Sequence, residues 1–142
     1  NDLGRGNGEI LHEFNGKVVT DSSDSKFIGA EVGSNNTAEL TAFAEALRWV
    51  LSEGGESDII IKTDSQYAGN QATGAWKAKA NRELVAHVQA LWNEVTQIRE
   101  LSWEHVKAHS GHRWNERADH LAIRAANDET PVSLSFWKPG QR

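Results

Sequence analysis

Cysteine and methionine are both absent from the 142 residues, and proline occurs only twice. Without cysteine there is no disulfide framework and no cysteine-ligated zinc site. That fits a reducing compartment, and an intracellular protein is expected, its compartment unreadable. No apolar run approaches the roughly 20 residues of a membrane span. No basic segment followed by an apolar one opens the chain as a signal peptide would. No membrane contact is therefore expected. A net charge of −5 argues against indiscriminate binding to nucleic acid. With Asn1 first and no methionine, the chain is expected to be a fragment or a processed product of a longer protein. Its length suits one compact domain with a core of its own.

What is present is a sequence of alternating elements. Apolar residues alternate around Ile10, Leu11, Phe14, Val18 and Val19, which predicts one or two strands over 9–20 with Asn15-Gly16 as a hairpin turn. Phe27 to Val32 is expected to be a further short strand. Leu40, Phe43, Ala44, Leu47, Val50 and Leu51 recur on one helical face, predicting a helix over 36–52 with Asn35 or Asn36 as its N-cap and Gly54-Gly55 at its end. The Ile-rich run 58–63 is too short for a buried helix and predicts a central strand. A short helix is expected near 65–73, a longer one over 81–97 and a strand from Leu101 to Val106. A last helix is expected over 115–126, its stripe built from Ala118, Leu121, Ala122 and Ala125. The order predicts an α/β fold, a mixed β-sheet flanked by α-helices. Residues 1–127 are expected to form the domain, and 128–142 a mobile tail with one short strand at most.

Three carboxylates stand at junctions of these elements. Asp64 follows the Ile-rich strand, where ligands gather in open α/β sheets; it also suits the N-cap of the next helix. Glu39 is placed in the first turn of its helix, where the dipole alone favours an acid. Asp119 lies beside an apolar stripe, where burial requires a metal, Arg117 or Arg124 to answer its charge. Hard carboxylate oxygens suit Mg²⁺ or Mn²⁺. A pair of such ions can activate water and stabilise a leaving oxygen in phosphodiester hydrolysis. His109 falls in a Gly-containing loop, His109-Ser110-Gly111-His112, where a histidine could transfer protons; a plain surface His is the alternative. His112 and His120 read as structural or solvent positions.

Together these segments resemble the type 1 ribonuclease H family. Asn35-Asn36-x-x-Glu39-Leu40, Thr63-Asp64-Ser65-Gln66-Tyr67 and Val106-Lys107-x-His109-x-Gly111-His112-x-x-Asn115-Glu116-x-x-x-Asp119 occur in the family order and with family-like spacing. The resemblance runs from about Asn35 to Ala126. It implies that Glu39, Asp64 and Asp119 bind metal and, with His109, carry catalysis. It implies that Asn35, Asn36 and Gln66 read RNA 2′-hydroxyls in the minor groove. Trp76, Lys77 and Lys79 resemble the segment that meets the DNA strand, although ordinary core packing is the alternative for Trp76. The implied activity is hydrolysis of the RNA strand of an RNA–DNA hybrid with Mg²⁺, or with Mn²⁺, and with no small-molecule cofactor.

One departure stands out. The family's first strand, with its metal-binding Asp, is not found, and it is expected upstream of Asn1. Asp2 within Asp2-Leu3-Gly4-Arg5-Gly6-Asn7-Gly8 echoes the turn around that Asp only faintly. A chain lacking that ligand is expected to cleave weakly or not at all by itself. The alternative is a non-catalytic module of the same fold that binds hybrids.

Overall fold

The computed structural model describes residues 9–140, so Asp2 lies outside the described residues. These residues divide into two compact units, one of 18–105 and one of 9–17 with 106–140.

The 18–105 unit starts its helical part with α1 (Asn35–Glu53). Ser34, not Asn35 or Asn36, is the N-cap. Its extended backbone allows a reciprocal box: the Ser34 amide donates to Thr37 Oγ1 at 2.8 Å, and the Thr37 amide donates to Ser34 Oγ at 3.2 Å. Two otherwise orphaned donors are thereby satisfied. Asn35 and Asn36 become the first two helical residues and stay exposed. Glu39 consequently falls one turn deeper than expected, with no acid in the first turn. Gly54, at φ 74°, ends the helix in the left-handed conformation that glycine adopts without strain.

Strand β1 (Ile59–Thr63) pairs in parallel with β2 (Leu101–His105), Ile59 beside Leu101 and Thr63 beside His105. Parallel strands need a crossover, and α2 (Gln66–Ala72) and α3 (Arg82–Thr96) supply it. Among the described residues the sheet has these two strands and no more. The expectation of a central β1 is corrected accordingly: burial alternates along it, and Ile60 is 52% exposed. Leu40, Phe43, Ala44, Leu47 and Val50 of α1 form the core with Leu84, Val85, Val88 and Val95 of α3. Ile59 and Ile61 pack against that core from one face of the sheet.

The strands expected over 9–20 and 27–32 are not formed. In the second unit, alternate side chains of the first segment turn toward α4 (Arg113–Ala126) instead of entering a ladder. Glu13 meets Arg117, Asn15 Nδ2 donates to the Leu121 carbonyl at 3.1 Å, and Lys17 pairs with Asp128 at 2.9 Å. The apolar residues that suggested a buried sheet face, Leu11 and Phe14, remain exposed. The Asn15-Gly16 hairpin is absent because Asn15 serves this contact. In the 27–32 segment, Gly29 approaches the start of α3 so closely that a Cβ would lie 2.8 Å from the Leu84 amide nitrogen. Backbone packing of that kind replaces strand pairing there, and Gly29 at φ 112° permits it.

Gly69 makes the other close approach. A Cβ at this position of α2 would overlap the Trp103 ring of β2. Gly69→Ala is expected to destabilise the protein by about 1–3 kcal/mol, the usual cost of overpacking. A urea unfolding midpoint equal to that of the unsubstituted protein would contradict this placement of α2 on the sheet.

Candidate functional site

Asp64 follows the last residue of β1 and precedes the first turn of α2. The capping role open to it from sequence is filled by its neighbour: Ser65 Oγ accepts from the Ala68 amide at 3.0 Å. Asp64 is half-buried and stands at the carboxyl end of a parallel strand. Glu39 is also half-buried, on the second turn of α1 beyond exposed Asn35 and Asn36. Gln66, the first residue of α2, is exposed. Trp76 is 45% exposed and stands outside the hydrophobic core, and Lys77 and Lys79 beside it are exposed as well. All these residues belong to the 18–105 unit.

His109 and Asp119 belong to the other unit. His109 has φ 56° and Gly111 has φ 86°, so the loop entering α4 turns through two left-handed residues. His109 Nδ1 lies 4.0 Å from Asp119 Oδ2, with the imidazole 59% and the carboxylate 35% exposed. An imidazole open to solvent thus stands beside an acid.

Neither arginine answers Asp119 as expected. Arg117 donates through Nε and Nη2 to the two oxygens of Glu13, at 2.8 and 2.9 Å, and through Nη1 to the Val132 carbonyl at 2.8 Å. Arg124 faces Glu129 at 3.4 Å. The expected alanine stripe is also corrected: the buried residues of α4 are Arg117 and His120, while Ala118 and Ala122 are exposed. A helix this poor in large apolar residues buries its amphipathic side chains instead. His112 caps the helix, its Nδ1 accepting from the Asn115 amide at 3.2 Å, which starts α4 two residues earlier than expected.

The 128–140 segment is mostly exposed but buries Trp137, and no strand forms in it among the described residues. Trp137 is 5% exposed, with the Arg117 guanidinium 5.4 Å from its ring centre and the His120 ring 6.2 Å away. His120 Nε2 accepts from the Val132 amide at 3.0 Å. These contacts escaped the sequence reading. The available signal was Arg117 and His120 spaced three apart on a helix short of bulky apolar residues.

The same cluster sets a pH dependence. Burial holds the His120 pKa below its ordinary 6.5, with Arg124 and Arg117 adding to the effect. The hydrogen bond from Arg117 holds Glu13 below its ordinary 4.5. Both groups bind a proton more readily in the unfolded chain. Their stabilisation is therefore full above those ordinary values and is lost as the pH falls through the folded ones. Thermal midpoints are expected to drop first below about pH 6.5 and again below about pH 4.5. A midpoint that rises on acidification over this range would contradict the assignment.

As metal donors, Glu39, Asp64 and Asp119 fit a divalent cation by type, being partly accessible carboxylates. Among the described residues no group of three or more His, Asp or Glu side chains is already gathered as a metal site.

Comparison with known proteins decides the family. The RNase H family model matches residues 8–127. The chain belongs to the ribonuclease H family. It is 35% identical over 125 residues to Ribonuclease H of Tropheryma whipplei (strain Twist), covering 79% of this chain and 74% of that protein. It is 37% identical over 126 residues to Ribonuclease H of Ruegeria sp. (strain TM1040), covering 81% and 76%. The fold is the α/β fold of the family. The crystal structure of RNase H1 from the halophilic archaeon Halobacterium salinarum NRC-1 superposes with a TM-score of 0.55 at 34% identity, over 68% of this chain and 70% of that one. Among the described residues no helix is long and apolar enough to cross a membrane.

Proposed function

We propose that this chain is a ribonuclease H that hydrolyses the RNA strand of RNA–DNA hybrids, leaving 3′-hydroxyl and 5′-phosphate ends. The observation that carries the reading is Asp64: an acid at the carboxyl end of β1, next to a serine that takes over the capping duty. The carboxyl end of a strand is where ligands gather in open α/β sheets. Family membership over residues 8–127 favours the enzyme over a non-catalytic binding module.

Glu39, Asp64 and Asp119 would hold Mg²⁺, with Mn²⁺ as a substitute, through hard carboxylate oxygens. When bound, the divalent ion supplies positive charge against the scissile phosphate. Asn35 and Asn36, exposed at the start of α1, donate and accept at RNA 2′-hydroxyls, and Gln66 does so from the start of α2. Lys77 and Lys79 meet phosphates of the DNA strand, and Trp76 packs on its sugars. Water is the nucleophile, and no covalent intermediate forms with the chain. His109 carries a proton at the site and aids product departure; its solvent exposure supports that role.

Cleavage of an RNA-labelled hybrid with Mg²⁺, against the same reaction with chelator and against duplex DNA, tests the reading. Metal-dependent cutting confined to the RNA of the hybrid is expected, and hybrid binding with no cutting would favour the binding module. His109→Ala is expected to lower kcat by about 100-fold, the lower end of the range for a lost proton carrier, with KM for the hybrid little changed. An unchanged kcat would remove His109 from the mechanism.

A further inference from the structure

We infer that Arg117, held between Glu13 and the 132–137 segment, is the residue that positions Asp119 for metal binding, an inference that rests on the hybrid-cleavage reading above. On an α-helix successive residues turn by about 100°. Asp119 therefore sits about 200° around α4 from Arg117 and about 100° from His120. The two buried residues hold the back and flank of the helix, and Asp119 is left on the outward side.

The anchoring is directional. Arg117 is 4% exposed and serves three acceptors, the two oxygens of Glu13 and the Val132 carbonyl. A planar guanidinium fork fixes rotation as well as distance, as a point charge does not. From the same segment, Val132 donates its amide to His120 and Gly140 donates its amide to Glu116 Oε2 at 2.9 Å. Three residues of α4 within little more than one turn, Glu116, Arg117 and His120, are thus held through polar groups, while Ala118, Ala122 and Ala126 are exposed and add no apolar anchor. The rotation of α4, and with it the direction of the Asp119 carboxylate, depends on this clamp. Partners that orient a ligand without touching the ion typically change metal affinity by about 10- to 100-fold when lost.

Arg117→Lys and Glu13→Gln, made in the full chain, test the assignment. Mn²⁺ affinity measured by calorimetry is expected to fall by about tenfold in Arg117→Lys and by less in Glu13→Gln. Amide exchange is expected to quicken across 116–122 while the amides of α1 stay protected. In hybrid cleavage the Mg²⁺ concentration for half-maximal rate rises, and KM for the hybrid holds. A loss of folded molecules alone would lower the rate without moving the Mg²⁺ dependence. Unchanged Mn²⁺ affinity in both variants would overturn the inference, as would an unsubstituted chain that binds no Mn²⁺. If Arg117→Lys does not fold, Glu13→Gln decides in the same terms. Should the unsubstituted chain bind Mn²⁺ and not cleave hybrids, the cleavage reading fails, and the affinity comparison still decides the clamp.

Discussion

Asp64→Asn is expected to lower hybrid cleavage by more than about 100-fold, beyond the range seen when only a supporting partner of a metal ligand is lost. The amide keeps the size of the carboxylate and one oxygen acceptor, and it removes the negative charge that draws a divalent cation. The start of α2 is expected to survive the change. Ser65 Oγ, not Asp64, receives the Ala68 amide, so α2 keeps its cap. The loss of about 1 kcal/mol that removal of a helix cap brings is therefore not expected. Strand-labelled cleavage and urea unfolding of the same preparation check both halves. Loss of activity together with a large loss of stability would return Asp64 to a structural role.

The largest expected effect on stability comes from Arg117→Ala, at about 3 kcal/mol. Removing the guanidinium leaves the Val132 carbonyl and both Glu13 oxygens without their donor and takes away the cation over the Trp137 ring. The Arg117 side chain is 5% exposed and that of Glu13 29%, so the carboxylate left behind is partly hydrated, which places the cost at the lower end for a broken buried pair. The double change Glu13→Ala with Arg117→Ala is expected to cost less than the two single losses added together, because the second deletion removes a charge already abandoned. Urea unfolding of the four proteins in the cycle measures this. Strict additivity would mean that the pair contributes nothing beyond its separate packing.

Sequence periodicity identified those parts of the fold that follow from side chains on one face. Leu40, Phe43, Leu47 and Val50 describe α1 almost to its ends, because burying that stripe is what stabilises it. The Ile-rich run and the turn at Gly54 were legible for similar local reasons. The failures came where contacts are distant in sequence. Nothing local in Glu13, Asn15 and Lys17 reveals that they answer Arg117, Leu121 and Asp128, about a hundred positions away. Extended backbone therefore read as paired strand. The α4 stripe was misread because alanine counts as apolar in a pattern, whereas Arg117 and His120 bury more of the helix through hydrogen bonds. The positions of Asp64 and of the Asn35-Asn36 pair at element junctions were readable, because the flanking apolar patterns mark where β1 ends and α1 begins. Ser34 was missed as a cap because three good capping residues stand in a row, and the box with Thr37 selects among them.

The central proposal is that hybrid cleavage needs Glu39, Asp64 and Asp119 together. Its most direct test is the rate of Mg²⁺-dependent hybrid cleavage for Glu39→Gln, Asp64→Asn, Asp119→Asn and the triple substitution, each against the unsubstituted chain. Residues that act as a unit are strongly non-additive, so each single change is expected to cost nearly as much as all three together. Losses that multiply from one carboxylate to the next, or full activity in any of the single variants, would contradict the claim.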